Sequence, residues 1–148
     1  MRLILFLLIS FIAILVLYNY LSKSSIHKST VTIENKTFLL DVARTDNEKE
    51  IGLAKYNKLP EDTAMLFIFQ SSDYYSFWMK NMKFPIDIIY IQDNKIVDIF
   101  KNVPYPKTKD EKLTIYTPKS KANFVLETNA NLSTKYNFKI GSYIKINL

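Results

Sequence analysis

Five side chains in this sequence carry the types and spacing that chemistry needs. Trp78, Lys80 and Asn81 lie in Phe77-Trp78-Met79-Lys80-Asn81, Asp87 follows in Pro85-Ile86-Asp87, and Glu127 lies in Val125-Leu126-Glu127-Thr128. All four polar groups stand beside apolar runs. A charge there must find a partner or a use, because removing its water is costly. One use is a small polar site with Trp78, the only tryptophan, as a wall and Asp87 and Glu127 as acceptors. Two carboxylates can act as general acid and base when their surroundings separate their pKa values. Sugar hydrolysis would set such a pair about 5 to 9.5 Å apart. The other use is structural. Lys80 or Asn81 would bond Asp87 and pin a turn, while Glu127 would accept from a neighbouring loop.

Aromatic residues extend the first reading. Tyr74, Tyr75, Tyr105 and Tyr116 fall in or near polar loops, where flat rings beside amides and carboxylates suit glycan binding. Trp78 sits between apolar neighbours, so a place in the core competes with a place in a site. Other chemistries are excluded by composition. The chain has no cysteine, one histidine (His27) and two glycines. Thiolate and multi-histidine metal sites, cysteine nucleophiles and glycine-rich phosphate loops are therefore absent. Asp73, Asp87 and Glu127 lack calcium-loop spacing, so no metal and no cofactor is expected.

The elements that must hold these residues read as many short strands. Val31 to Val42 reads as a hairpin turning at Asn35-Lys36, with Asn35 supplying the left-handed residue. Thr45 and Glu48 have the spacing of a capping box, so a helix of two to three turns should follow, with Ile51, Leu53 and Ala54 inward. Met65 to Phe69 is apolar throughout and reads as a strand buried on both faces. Gln70 to Ser76 reads as a loop. The central stretch from Phe77 to Asp87 reads as two strands joined by a tight connection. Asp93-Asn94 suits a two-residue hairpin turn, because both residues tolerate positive φ. Lys95 to Val103, Leu113 to Tyr116, Asn123 to Thr128 and Tyr143 to Ile146 supply further strands. In Asn123 to Thr128, Val125 and Glu127 face opposite to Phe124, Leu126 and Thr128. Few helices and no βαβ rhythm give a mainly β fold. The expected form is an antiparallel β-sandwich or flattened barrel, jelly-roll-like, with one or two short helices.

Residues 1–21 are almost wholly apolar after Arg2, with Tyr18 and Tyr20 near the end. About 20 residues cross the hydrocarbon core of a bilayer, so residues 3–21 are expected to anchor the chain in a membrane. A cleaved signal segment is the competing reading. Residues 22–29 read as a linker and residues 30–148 as one domain. Arg2 and the short N-terminal tail place the domain outside the cytoplasm, or in secreted form after cleavage. The formal charge of +6 comes from 20 basic and 14 acidic residues. The basic residues are scattered, which argues against nucleic acid and suits an anionic envelope surface.

The motifs together resemble the domain of unknown function 192 family, small prokaryotic proteins that are often exported or membrane-anchored. The resemblance runs from about Val31 to the C-terminus. It rests on Glu50-Ile51-Gly52-Leu53, Met65-Leu66-Phe67-Ile68-Phe69, Phe77-Trp78-Met79-Lys80-Asn81, Pro85-Ile86-Asp87-Ile88, Val125 to Ala130 and Ile140-Gly141. The family usually has glycine where Ala64 and Asn131 stand, methionine and arginine at Ala54 and Lys55, and aspartate at Ser142. The resemblance implies a compact jelly-roll-like β-sandwich and supplies no activity.

The expected function is thus a membrane-tethered, extracytoplasmic binding module, monomeric as a domain. Its partner is expected to be a cell-envelope polymer, a glycan among them, or a membrane protein. The alternatives are a hydrolase using Asp87 and Glu127, or an accessory subunit of a membrane complex.

Overall fold

A computed structural model gives the structure of the protein and describes residues 29–108 and 110–148, with Phe11. The expected anchor and most of the linker lie outside the described residues. Among the described residues no helix is long and apolar enough to cross a membrane.

The strands are β1 (Thr30–Ile33), β2 (Lys36–Ala43), β3 (Thr63–Asp73), β4 (Phe77–Trp78), β5 (Ile86–Gln92), β6 (Lys95–Val103), β7 (Ile115–Tyr116), β8 (Ala122–Asn129) and β9 (Ile144–Asn147). Helix α1 (Asp46–Ile51) runs into a 3-10 turn (Gly52–Lys55), and α2 (Leu132–Lys135) follows β8. Seven strands form one sheet in the order β6-β5-β8-β3-β2-β1-β9, and β4 and β7 form a separate ribbon. The fold is mainly β, as expected, but it is not a sandwich of two full sheets. The large sheet curls into a half-barrel, and its edge strands meet at one end. There Ile96 N donates to Ser142 O at 3.0 Å, Gly141 N to Ile96 O at 2.8 Å and Ile144 N to Asn94 O at 2.8 Å. It is also not purely antiparallel, because β2 and β3 pair in parallel. The connection between parallel neighbours must cross over, and α1 with its 3-10 turn is that crossover.

Alternation along the strands sorts the apolar residues into two cores. Val31, Phe38, Leu66, Ile89, Ile96, Leu126 and Ile144 fill the concave side, and Leu132 and Phe138 plug it from the α2 segment. Met65, Phe67, Ile88, Tyr90 and Val125 face the other way, beneath Leu53, Met79, Met82 and the partly buried Phe77 and Tyr116. The central strands β3, β5 and β8 thus serve both cores. Met65 to Phe67 are buried on both faces for this reason.

Several local expectations change. The first hairpin turns at Glu34-Asn35, one residue before the expected Asn35-Lys36, and the positive φ of 50° falls on Glu34 and not on Asn35. Strand β3 continues through Asp73, so Gln70 to Asp73 are strand, and of the expected loop only Tyr74 to Ser76 is loop. The central stretch does not fold back on itself. Trp78 pairs with Ile115 of β7, while β5 joins the large sheet. Ile51 is 44% exposed and leaves the inward face to Leu53. The Asp93-Asn94 turn forms as expected, with φ of 51° and 59°. So does the capping box, in which Glu48 N donates to Thr45 Oγ1 and Thr45 N to Glu48 Oε2.

Candidate functional site

Asp87 and Glu127 are neighbours in the sheet but do not form a pair. Asp87 lies opposite Thr128, and Ile88 lies opposite Glu127. Successive side chains in a strand point to opposite faces, so the two carboxyl groups are directed to opposite sides of the sheet. The acid–base pair weighed above for sugar hydrolysis is therefore not assembled.

Asp87 is fully buried and accepts three backbone amides: Asn102 N at 2.7 Å, Asn131 N at 3.0 Å and Ser133 N at 2.7 Å. Its expected partners, Lys80 and Asn81, are both exposed and do not reach it. Asn102 and Asn131 have φ of 51° and 69°. Asn102 lies where the β5–β6 register shifts, between the pairs Ile86↔Val103 and Ile88↔Phe100. The carboxylate fixes that bulge and ties it to the start of α2. Asn131 keeps a left-handed backbone where the family pattern has glycine, as asparagine can.

Glu127 has the opposite environment. It is 5% exposed, and among the described residues no donor hydrogen-bonds its carboxyl. Burial pushes its pKa up to about 8, so the group is largely protonated at neutral pH. The same burial, with the nearby carboxylates of Glu127 and Asp98, drives the Tyr90 phenol far above its ordinary value. Tyr90 donates its hydroxyl to Tyr116 O at 3.0 Å.

Glu127 opens onto a cavity of about 300 Å³ on the convex side of the sheet. The walls are largely aromatic: Phe67 and Phe69 from β3, Tyr75 and Phe77 beyond it, and Trp78 from β4. Phe69 and Tyr75 stack with centroids 3.6 Å apart, and Phe67 meets Phe77 edge-on at 4.9 Å. Trp78 is 49% exposed, so it belongs to the mouth and not to the core. Lys80 stands 5.6 Å from the Trp78 ring centre and Lys49 4.9 Å from that of Phe69. Glu50, Ile51 and Ser76 complete the mouth. A neutral carboxyl can both donate and accept a hydrogen bond. The cavity therefore offers one two-way polar contact at its floor, apolar walls, and two ammonium groups near its entrance.

Gly52 shapes this cavity. Its φ of 52° and ψ of −142° suit glycine, and a Cβ there would lie 3.4 Å from the Phe67 ring. The glycine turns α1 into the 3-10 turn and lets the chain lie on that ring. Asp41 then holds the turn, accepting Lys55 Nζ at 2.7 Å and the Tyr56 hydroxyl at 2.6 Å. Burial works to raise the Asp41 pKa, and the hydrogen bonds from Lys55 and Tyr56 outweigh it, leaving it lowered.

Of the sequence candidates, Trp78, Lys80 and Glu127 share the cavity, and Tyr75 joins them. Asn81 lies outside it, in the turn that follows, with φ of 60°. Tyr74 is exposed, and Tyr105 is half-buried under Lys107, whose Nζ lies 3.6 Å from the ring centre. Lys49, Gly52, Phe69 and Phe77 are additions. The Glu50-Ile51-Gly52-Leu53 stretch was the signal for Gly52, and Phe69 and Phe77 lay in the apolar and tryptophan-bearing motifs. Among the described residues no cluster of three or more metal-ligating side chains occurs.

Among known proteins, the chain is similar to solved structures that include the following two. One, a protein of unknown function from Novosphingobium aromaticivorans DSM 12444, is 28% identical, with a TM-score of 0.68 over 80% of this chain and 83% of that one. The other is a suggested transcription regulator from Sinorhizobium meliloti 1021, 23% identical, with a TM-score of 0.70 over 80% of this chain and 92% of that one. At that identity the second likeness shows the fold alone. No curated protein matches the chain. The family model that matches residues 29–146 is DUF192, described as "Uncharacterized ACR", and the chain belongs to that family.

Proposed function

We propose that this domain is a non-catalytic binding module whose site is the aromatic cavity floored by Glu127. Residues 1–21 tether it to a membrane and display it outside the cytoplasm. One observation carries the binding reading: the nearly buried Glu127 carboxyl, hydrogen-bonded by no donor among the described residues, opens onto the cavity. A neutral carboxyl there can donate to and accept from a ligand hydroxyl or amine that enters the cavity. At about 300 Å³ the space is at the small end of ligand sites, which suits one ring-sized group such as the end of an envelope glycan. The apolar run after Arg2 supports the tether.

The test is a titration of the full-length protein in mild detergent with neutral and acidic saccharides, followed by backbone amide chemical shifts. Saturable shifts should cluster at Gly52, Phe67, Ser76 and Glu127, and Glu127→Leu should abolish them. Shifts that are absent across the panel, or unchanged in Glu127→Leu, would sink the reading.

A further inference from the structure

The mouth of the cavity continues into a second groove. Lys80 and Met82 line both, and Asn81, Lys83, Lys107 and Thr108 extend the surface over a volume of about 440 Å³. Among the described residues no carboxylate lines this groove. Its three lysines are held in place without being neutralised. Lys80 stands over the Trp78 ring, Lys83 donates to the Asn57 amide oxygen at 2.9 Å, and Lys107 lies against the Tyr105 ring. Among the described residues none of the three makes an ion pair. Glu111, on the same loop as Lys107, accepts the Lys107 amide at 2.8 Å.

We propose that the cavity and this groove together bind the end of an acidic oligosaccharide, a chain of carboxylated sugar rings. The terminal ring enters the cavity and meets Glu127 through a hydroxyl. The carboxylates of the following rings run past Lys80, Lys83 and Lys107. This rests on the binding role of the cavity proposed above and adds the charge and length of the ligand. The cations are all lysines, point charges without the fork that arginine offers to phosphate. Rings rich in hydroxyls match a floor that can donate and accept. A nucleic acid is the competing occupant, and the experiment includes it.

Calorimetric titration of the full-length protein would use tetragalacturonic acid, its carboxyl-reduced neutral counterpart and a single-stranded hexanucleotide. The acidic sugar should bind saturably and about tenfold or more tighter than the neutral one. Lys83→Gln with Lys107→Gln should remove about tenfold of affinity for the acidic sugar and leave the neutral one unchanged. Both lysines are exposed, so the fold should not suffer. Glu127→Leu should weaken both sugars alike. Equal affinity for the two sugars, or an acidic sugar indifferent to the lysine pair, overturns the groove while the cavity stands. Two sugars that ignore Glu127→Leu overturn the cavity reading. Tighter binding of the hexanucleotide, or no saturable binding of any probe, overturns the proposal.

Discussion

Two carboxyl groups on adjacent positions of paired strands live in opposite physical regimes, and each predicts a different experiment. Asp87 accepts three amides, and charge-assisted hydrogen bonds are worth about 1.5–3 kcal/mol each. Asp87→Asn keeps the shape but turns a donor toward those amides, so a loss of at least about 3 kcal/mol is expected in urea unfolding. A loss below 1 kcal/mol would show that the three bonds are not needed. Glu127 carries the reverse sign. Its pKa rises from 4.5 to about 8 on folding. As pH rises, the unfolded chain releases the proton first. The stability tied to that proton is full below about pH 4.5, falls between 4.5 and 8, and is flat above. The span is up to about 5 kcal/mol. Glu127→Gln, neutral at every pH, should remove the decline and unfold at higher urea than the wild type at pH 8.5. Parallel curves for the two proteins would contradict the burial argument.

At the scale of elements, α1 and its 3-10 turn decide the cavity. Gly52→Ala would strain a φ of 52° and press on Phe67, at a cost of about 1–3 kcal/mol. Thermal unfolding should show the loss, and an unchanged midpoint would mean that the turn adapts. The capping box and the Asp93-Asn94 hairpin were legible in sequence because their determinants are a few residues apart. The facing of Val125 and Glu127 was legible from alternation, and the two cores bear it out. Long-range placement was not. Nothing within Phe77 to Asp87 reveals that Trp78 pairs with Ile115 while Asp87 reaches Asn102, Asn131 and Ser133. Lys80 and Asn81 were near Asp87 in sequence, but the backbone amides that satisfy it come from β6, from α2 and from Asn131, which caps α2. Glu34 in the first turn went unseen because glutamate has little local preference for positive φ.

For the whole molecule, the shared strands matter most. β3, β5 and β8 present one face to the concave core and the other to the layer that contains the cavity, so neither core can open without exposing the sheet that supports its neighbour. One cooperative transition is expected, with calorimetric and van't Hoff enthalpies in agreement. Two resolved transitions would show that the cavity layer melts separately. The curl of the sheet also explains why the sequence left a sandwich and a flattened barrel both open: alternation reports that a strand has two different faces, but not whether the sheet closes toward itself or meets a second one. The half-exposed indole at the cavity mouth has a further, optical consequence. As the chain's single tryptophan, Trp78 is the only source of indole fluorescence. A ligand that covers it should shift its emission to the blue, whereas unfolding should shift it to the red. One cuvette can therefore tell occupancy from denaturation by colour alone, with no label attached.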